Sequence, residues 1–221
     1  NNLMSQLVFK FPFKTKYYEQ DFYVSSNNFS AYKLIESWPK WSGKWLNVFG
    51  SKGSGKTHLS KILEKKIDRV KILNENEVSN NILDNLNKID CLIIENYNNE
   101  IDEKLFYSIL NETKLLDNYV VVNSIKPLKV NDFKLKDLQS RINSFVFIGI
   151  DLPTDDLLKV IISKSFSEKQ IKLEPKITEY IIKNVDRSYE KMIKFVKDID
   201  ELSLSSGKSI NINLIKKLLN Q

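Results

Sequence analysis

The chain of 221 residues has one cysteine, one histidine, three arginines and six glycines, and no apolar run approaches the length of a membrane span. A single cysteine, Cys91, excludes an internal disulfide and agrees with a reducing cytoplasm, where the chain is expected to reside. Without about 20 consecutive apolar residues, no spanning helix is expected. The stretch LVFKFPF is apolar, but Lys10 interrupts it, Lys14 and Lys16 follow it, and no small-residue cleavage site accompanies it, so it does not read as a secretory signal. Charge of one sign does not collect in any segment. The net charge is +6, with 21 basic and 17 acidic side chains in residues 1–150 and 13 and 11 in the remainder, so neither part is a basic tail. A lysine-rich solvated surface is the plain reading of that excess.

These scarcities make the exceptions informative. Against 31 lysines the only arginines are Arg69, Arg141 and Arg187. Where composition drifts so far toward lysine, a retained arginine hints that a planar fork of several donors is used there. Three of the six glycines fall within Gly50 to Gly55.

What is present reads as an ordinary globular α/β chain, long enough for a core domain with a small appendage. Short β-branched and aromatic runs alternate with helical patterns: WLNVF at 45–49, VKIL at 70–73, CLII at 91–94, YVVV at 119–122 and FVFIGI at 145–150. That alternation predicts a five-stranded parallel sheet with helices on its faces, in three layers. Leu59, Ile62 and Leu63 predict one buried helical face, and Leu105, Ile109, Thr113 and Leu116 another. After Ile150 the strand signals stop. Thr154 with Asp155 and Asp156 reads as a helix start, and helical patterns cover residues 175–183, 188–204 and 211–219. The expected organisation is a tail over 1–16, an α/β core over 17–150 and a small all-α domain over 151–221.

GSKGSGKT, Gly50 to Thr57, matches the GxxxxGK[ST] pattern with a strand before it and a helix after it, the context that a phosphate-binding P-loop requires. The glycines let backbone N–H groups of Gly50, Ser51, Lys52, Gly53, Ser54 and Gly55 curl around phosphate oxygens. Lys56 neutralises the β and γ phosphates, and Thr57 offers a hydroxyl to Mg²⁺. The loop by itself implies a nucleoside phosphate with Mg²⁺. His58, in the first turn of the following helix, reads as a packing or capping residue beside the nucleotide. Glu95, ending the third strand, stands where a Walker B acid reaches toward Mg²⁺. Asn96 follows it where hydrolysing enzymes hold a second acid, and an amide is a poor base for activating water. Cys91 reads as a small core residue.

Taken together, DFYVSSNNFSA, GSKGSGKTHL, the IIEN strand end and LQSRI around Arg141 resemble the AAA+ proteins of the bacterial DnaA group. With the IESWPKW segment they are more closely similar to its shorter branch, the Hda regulatory inactivators. The resemblance implies an AAA+ core with a helical lid, ADP or ATP as the nucleotide, and a role in controlling replication initiation. It implies that Asn123 lies near the sensor 1 position, that Val24 and Asn28 belong to the region around adenine, and that Arg141 is the arginine finger. It also aligns Glu190 with the lid arginine of sensor 2, flanked by Arg187 and Lys191. The initiators carry a helix-turn-helix domain for origin DNA, whereas here about 70 residues follow Ile150. No sequence-specific DNA reader is therefore expected. Gln6, Leu7, Phe9 and Phe11 in QLVFKF resemble the peptide by which Hda proteins bind the sliding clamp, the β subunit of DNA polymerase III; an apolar first strand is the other reading of that segment. The implied partners are DnaA and the clamp, with homodimerisation left open. The rival expectations are an AAA+ ATPase or helicase loader that turns over its own ATP, and a DnaA-like DNA-binding initiation factor.

Overall fold

The computed structural model describes residues 27–220. Their packing divides into two units, residues 28–151 and residues 152–220.

In the first unit, α1 (Phe29–Glu36) precedes β1 (Trp45–Gly50), α2 (Lys56–Glu64) and β2 (Val70–Asn74). Two 3-10 segments, Glu75–Glu77 and Asn80–Lys88, lead to β3 (Cys91–Tyr97), α3 (Glu103–Leu115), β4 (Tyr119–Ser124), α4 (Lys136–Ile142) and β5 (Val146–Ile150). The five strands are all parallel, in the order β2-β3-β4-β1-β5. All five predicted strands are present, each extended or trimmed by a few residues at its ends.

Side chains alternate between the faces of a strand, so each strand feeds two layers. Trp45, Leu92, Ile94, Val120 and Val122 pack with Phe106, Ile109, Leu110, Leu138 and Ile142, which places α3 and α4 on one face. By the same alternation Leu46, Val48, Cys91, Ile93 and Val121 are buried on the other, the side of α1 and α2, with Ile35, Leu59 and Leu63. Burial holds the Cys91 thiol protonated, its pKa pushed up to about 12, so it is the inert core residue expected.

The buried face of α3 differs from the sequence reading. It consists of Phe106, Ile109, Leu110 and Thr113, whereas Leu105 is half-buried and Leu116, just past the helix end, is 36% exposed. The i, i+3, i+4 rule admits two neighbouring stripes here, and Phe106 fills more of the space above β3 and β4 than Leu105 would.

Two buried polar side chains hold the strand ends. Asn47, fully buried in β1, donates from Nδ2 to the Val122 carbonyl at 2.8 Å and to Ser124 Oγ at 2.9 Å, and its Oδ1 accepts from the Leu128 N–H at 2.9 Å. The Glu75 carboxylate accepts backbone N–H groups of Asn98 at 2.6 Å, Glu100 at 2.8 Å and Ile101 at 3.3 Å. It thereby ties the turn after β2 to the loop after β3.

The second unit is α5 (Asp155–Ser167), α6 (Pro175–Asn184), α7 (Tyr189–Ser206) and α8 (Ile212–Leu219). Each start follows a local rule. Thr154, Ser188 and Asn211 accept the N–H three residues on, at 3.3, 3.1 and 3.0 Å, and Pro175 occupies the first turn of α6, where its missing donor is not needed. Leu158, Ile161, Phe166, Ile181, Met192, Ile199 and Ile215 form a core of its own. No described helix is long and apolar enough to cross a membrane.

Candidate nucleotide site

β1 ends at Gly50 and α2 begins at Lys56, so the glycine-rich loop lies at the C-terminal edge of the sheet. β1 sits between β4 and β5 while the chain runs on to β2 at the far edge. This is a topological switch point, where open parallel sheets form a crevice. Gly55, the N-cap of α2, has φ 105°, a left-handed conformation costly for any residue with a Cβ. Gly50 is required for a different reason. A Cβ there would stand 2.4 Å from the Ile150 carbonyl oxygen of β5 and 2.9 Å from Ser54 Oγ. The Lys56 ammonium is drawn into the loop, donating to the carbonyls of Gly50 at 2.6 Å and Ser51 at 2.9 Å. Of the other loop residues, Gly53 and Ser54 are buried and Ser51 and Lys52 exposed. His58 is half-buried in the first turn of α2.

The parity of β3 and β4 brings the next groups together. Glu95 follows Ile93 by two residues and Asn123 follows Val121 by two, so both face α2. Glu95 Oε2 accepts from Thr57 Oγ1 at 3.1 Å, and Glu95 Oε1 accepts from Asn123 Nδ2 at 3.0 Å. Asn123 Nδ2 also donates to Ser60 Oγ at 2.8 Å. Glu95 is 6% exposed and Asn123 fully buried. The structure thus joins Thr57, Glu95 and Asn123, distant in sequence, and adds Ser60, which the sequence reading missed. Ser60 lies three residues after Thr57 on one helical face, a spacing that could have revealed it.

Asn96 does not share this cluster. Its φ is 56°, at a register irregularity between β3 and β4, and its exposed amide donates to Asn74 Oδ1 at 2.6 Å. Asparagine is among the few residues that enter the left-handed region readily, which accounts locally for an amide at this position.

These residues fit a nucleotide with a divalent cation. A buried carboxylate that meets only neutral donors carries a desolvation cost that a cation would offset. Asn123 Oδ1 and Ser54 Oγ are buried acceptors without hydrogen-bond partners among the described residues. No described cluster of three or more His, Cys, Asp or Glu could hold a metal by itself. Were Mg²⁺ bound with a nucleotide, the Glu95 carboxylate and the Thr57 hydroxyl would be the side chains to hold it, together with phosphate oxygens and water. Asn28 is buried at the start of α1. Val24, Gln6, Leu7, Phe9 and Phe11 lie outside the described residues, as does the Glu190 side chain.

The three arginines have different partners. Arg69 grips Asp90 side-on along one edge of its guanidinium, Nε to Oδ2 at 3.0 Å and Nη2 to Oδ1 at 2.6 Å, and holds that carboxyl below its ordinary pKa. Arg187, in the helical unit, is ion-paired with Asp155, and Lys191 there pairs with Asp186 at 2.6 Å. Arg141, at the end of α4, meets no carboxylate among the described residues. Its Nε donates to Asn111 Oδ1 of α3 at 2.9 Å. It lines a cleft of about 220 Å³ with Lys44, Trp45, Lys114, Asp117 and Asn118, residues that precede or open β1 and β4. This cleft is at the N-terminal edge of the sheet, one strand length from the P-loop, roughly 15–20 Å for strands of this length.

No protein-family model matches the chain. It is 27% identical over 237 residues to the chromosomal replication initiator protein DnaA of Buchnera aphidicola, covering 93% of this chain and 53% of that protein. The chain thus spans about half the length of this relative. Among solved structures it is similar to domain III of the Thermotoga maritima replication initiation protein DnaA, with a TM-score of 0.69, 18% identity, and coverage of 90% of this chain and 93% of that one. It is also similar to AMPPCP-bound DnaA from Aquifex aeolicus, with a TM-score of 0.65, 21% identity, and coverage of 84% and 65%. The chain is therefore similar at low identity to the DnaA initiators, and its first unit shares the α/β fold of their domain III.

Proposed function

We propose that this chain is a nucleotide-bound AAA+ regulator of replication initiation that, tethered to the sliding clamp, stimulates ATP hydrolysis by DnaA and so inactivates it. One observation carries the reading. Arg141 stands a strand length from its own P-loop, and its guanidinium is held by a neutral amide, whereas the other two arginines are paired with carboxylates. An arginine so placed cannot reach phosphates in its own chain, but it can meet phosphates carried by a partner, and the similarity to DnaA suggests which partner. In this reading residues 152–220 are the counterpart of the AAA+ helical lid, ADP or ATP with Mg²⁺ is resident, and Gln6, Leu7, Phe9 and Phe11 anchor the chain to the clamp. The test adds this protein to ATP-bound DnaA with clamp loaded on DNA and follows conversion to ADP. Conversion no faster than that of DnaA alone would overturn the reading.

A second reading, an AAA+ ATPase in its own right, is favoured by the joined Thr57, Glu95 and Asn123. Asn96 weighs against it, because its amide accepts no proton near neutral pH and is turned to Asn74. Intrinsic turnover is accordingly expected below roughly one per second, the low end for enzymes. A steady-state phosphate-release assay reaching or exceeding that rate would instead establish the enzyme reading.

Replacing Gln6, Leu7 and Phe9 together by alanine should abolish retention on immobilised clamp while leaving thermal unfolding unchanged, since a short peptide owes its affinity to a few anchor side chains. Equal retention by parent and variant would reassign the segment to the fold.

A further inference from the structure

Arg141 is the most telling of the three arginines because of what it lacks. The Arg69 fork is closed on Asp90 through Nε and Nη2, a pairing that fixes the guanidinium and also neutralises it. Arg141 is fixed through Nε alone, and its acceptor, Asn111 Oδ1, carries no formal charge. Among the described residues no hydrogen bond or ion pair engages either Nη atom of Arg141. Its guanidinium is therefore oriented along one edge, with the opposite edge and the full positive charge left for a ligand. The half-buried positions of Arg141 and Asn111 shield the single hydrogen bond from competing water. Lys44, by contrast, donates to Asp117 at 2.5 Å and lies over the Tyr119 ring, so it is already engaged across the same cleft.

We propose that Asn111 is the positioning residue for Arg141: through its neutral side-chain oxygen it aims the guanidinium toward a phosphate carried by a partner chain without quenching its charge. The inference rests on the reading of Arg141 as acting in trans. The need for an amide follows from the chemistry. A carboxylate at residue 111 would pair with the guanidinium as Asp90 does with Arg69, and an apolar side chain would leave Nε without its acceptor.

Two substitutions separate these effects. Asn111→Ala removes the acceptor at a half-exposed helical site, where alanine raises helix propensity, so the fold is expected to survive. Asn111→Asp keeps the shape and adds the charge. With clamp loaded on DNA and ATP-bound DnaA, Asn111→Ala should lower the maximal stimulated rate about tenfold, and Asn111→Asp further. The concentration of this protein giving half-maximal stimulation should stay within about twofold, because the loss falls on the transition state and not on docking. A second readout is independent of DnaA. The chain has three arginines, so the Nε region of its ¹H–¹⁵N spectrum holds three arginine signals, and Arg141→Ala assigns one. That signal should be protected from solvent exchange in the parent, and shifted and fast-exchanging in Asn111→Ala. If Arg141→Ala is inactive while folded Asn111→Ala and Asn111→Asp match the parent, Asn111 has no positioning role. An Arg141 Nε signal unmoved by Asn111→Ala overturns the proposal as well. Full stimulation by Arg141→Ala would instead remove the trans-acting reading on which it stands.

Discussion

Arg141→Ala is expected to abolish stimulation of DnaA's ATP hydrolysis while leaving this protein's own fold and nucleotide binding intact. Arginines supplied in trans to a hydrolysing phosphate are worth about 10³ to 10⁵ in rate, or roughly 4–7 kcal/mol of barrier, because a planar fork meets charge that develops only in the transition state. Nothing in the fold depends on this guanidinium to the same degree. Its one hydrogen bond, to Asn111, is with a neutral acceptor, and the P-loop is at the other end of the sheet. Arg141→Lys is expected to fail too, since an ammonium is a point charge that cannot offer two parallel donors. The measurement follows conversion of ATP-bound DnaA to the ADP form with loaded clamp present, alongside thermal unfolding of each variant. Equal conversion by parent and Arg141→Ala would reject the role.

Lys56→Ala is expected to weaken ADP and ATP binding about 30-fold or more, because removing one partner of a close charge pair costs roughly 2–5 kcal/mol. The Lys56 ammonium also donates to the Gly50 and Ser51 carbonyls, so its removal takes away both the cation and a clasp that shapes the loop. Titration calorimetry with each nucleotide gives the affinity, and circular dichroism distinguishes lost binding from lost structure. Unchanged affinity would place the phosphates elsewhere than Gly50 to Thr57. If binding falls and stimulation of DnaA falls with it, resident nucleotide is part of the regulator's competent form. If stimulation survives, the Arg141 face works independently of the P-loop.

Much of this was legible in the order of residues because the rules involved are local. Strand parity, helix spacing and N-capping act over one to four residues, and a glycine-rich loop of this pattern takes eight consecutive ones, so five strands, the helices over 155–219, the cap at Thr154 and the strand–loop–helix context of Gly50 to Thr57 could be read directly, whereas the caps at Ser188 and Asn211 were not singled out. Where a local rule admitted two answers, as for the buried stripe of α3, the choice between Phe106 and Leu105 fell to the volume above the sheet. The scarcity of arginine drew attention to three positions, yet it could not say what any of them pairs with. Arg69 and Asp90 are 21 residues apart, and Arg141 and Asn111 are 30 apart. Chain composition holds no trace of such pairs.

By itself the sequence determined the class of fold, the glycine-rich loop between β1 and α2 and the types of residue available for chemistry, since each depends on short-range geometry or side-chain identity alone. Only the tertiary structure decided the strand order that sets β4 between β1 and β3. With it came the meeting of Thr57 and Asn123 on the Glu95 carboxylate, the outward turn of Asn96, and the placing of Arg141 at the opposite edge of the sheet with an amide for a partner. The physical reason is that those relations arise when apolar faces of separate elements are buried together. Burial is non-directional and specifies no partner until shape, parity and the satisfaction of buried polar groups leave one arrangement.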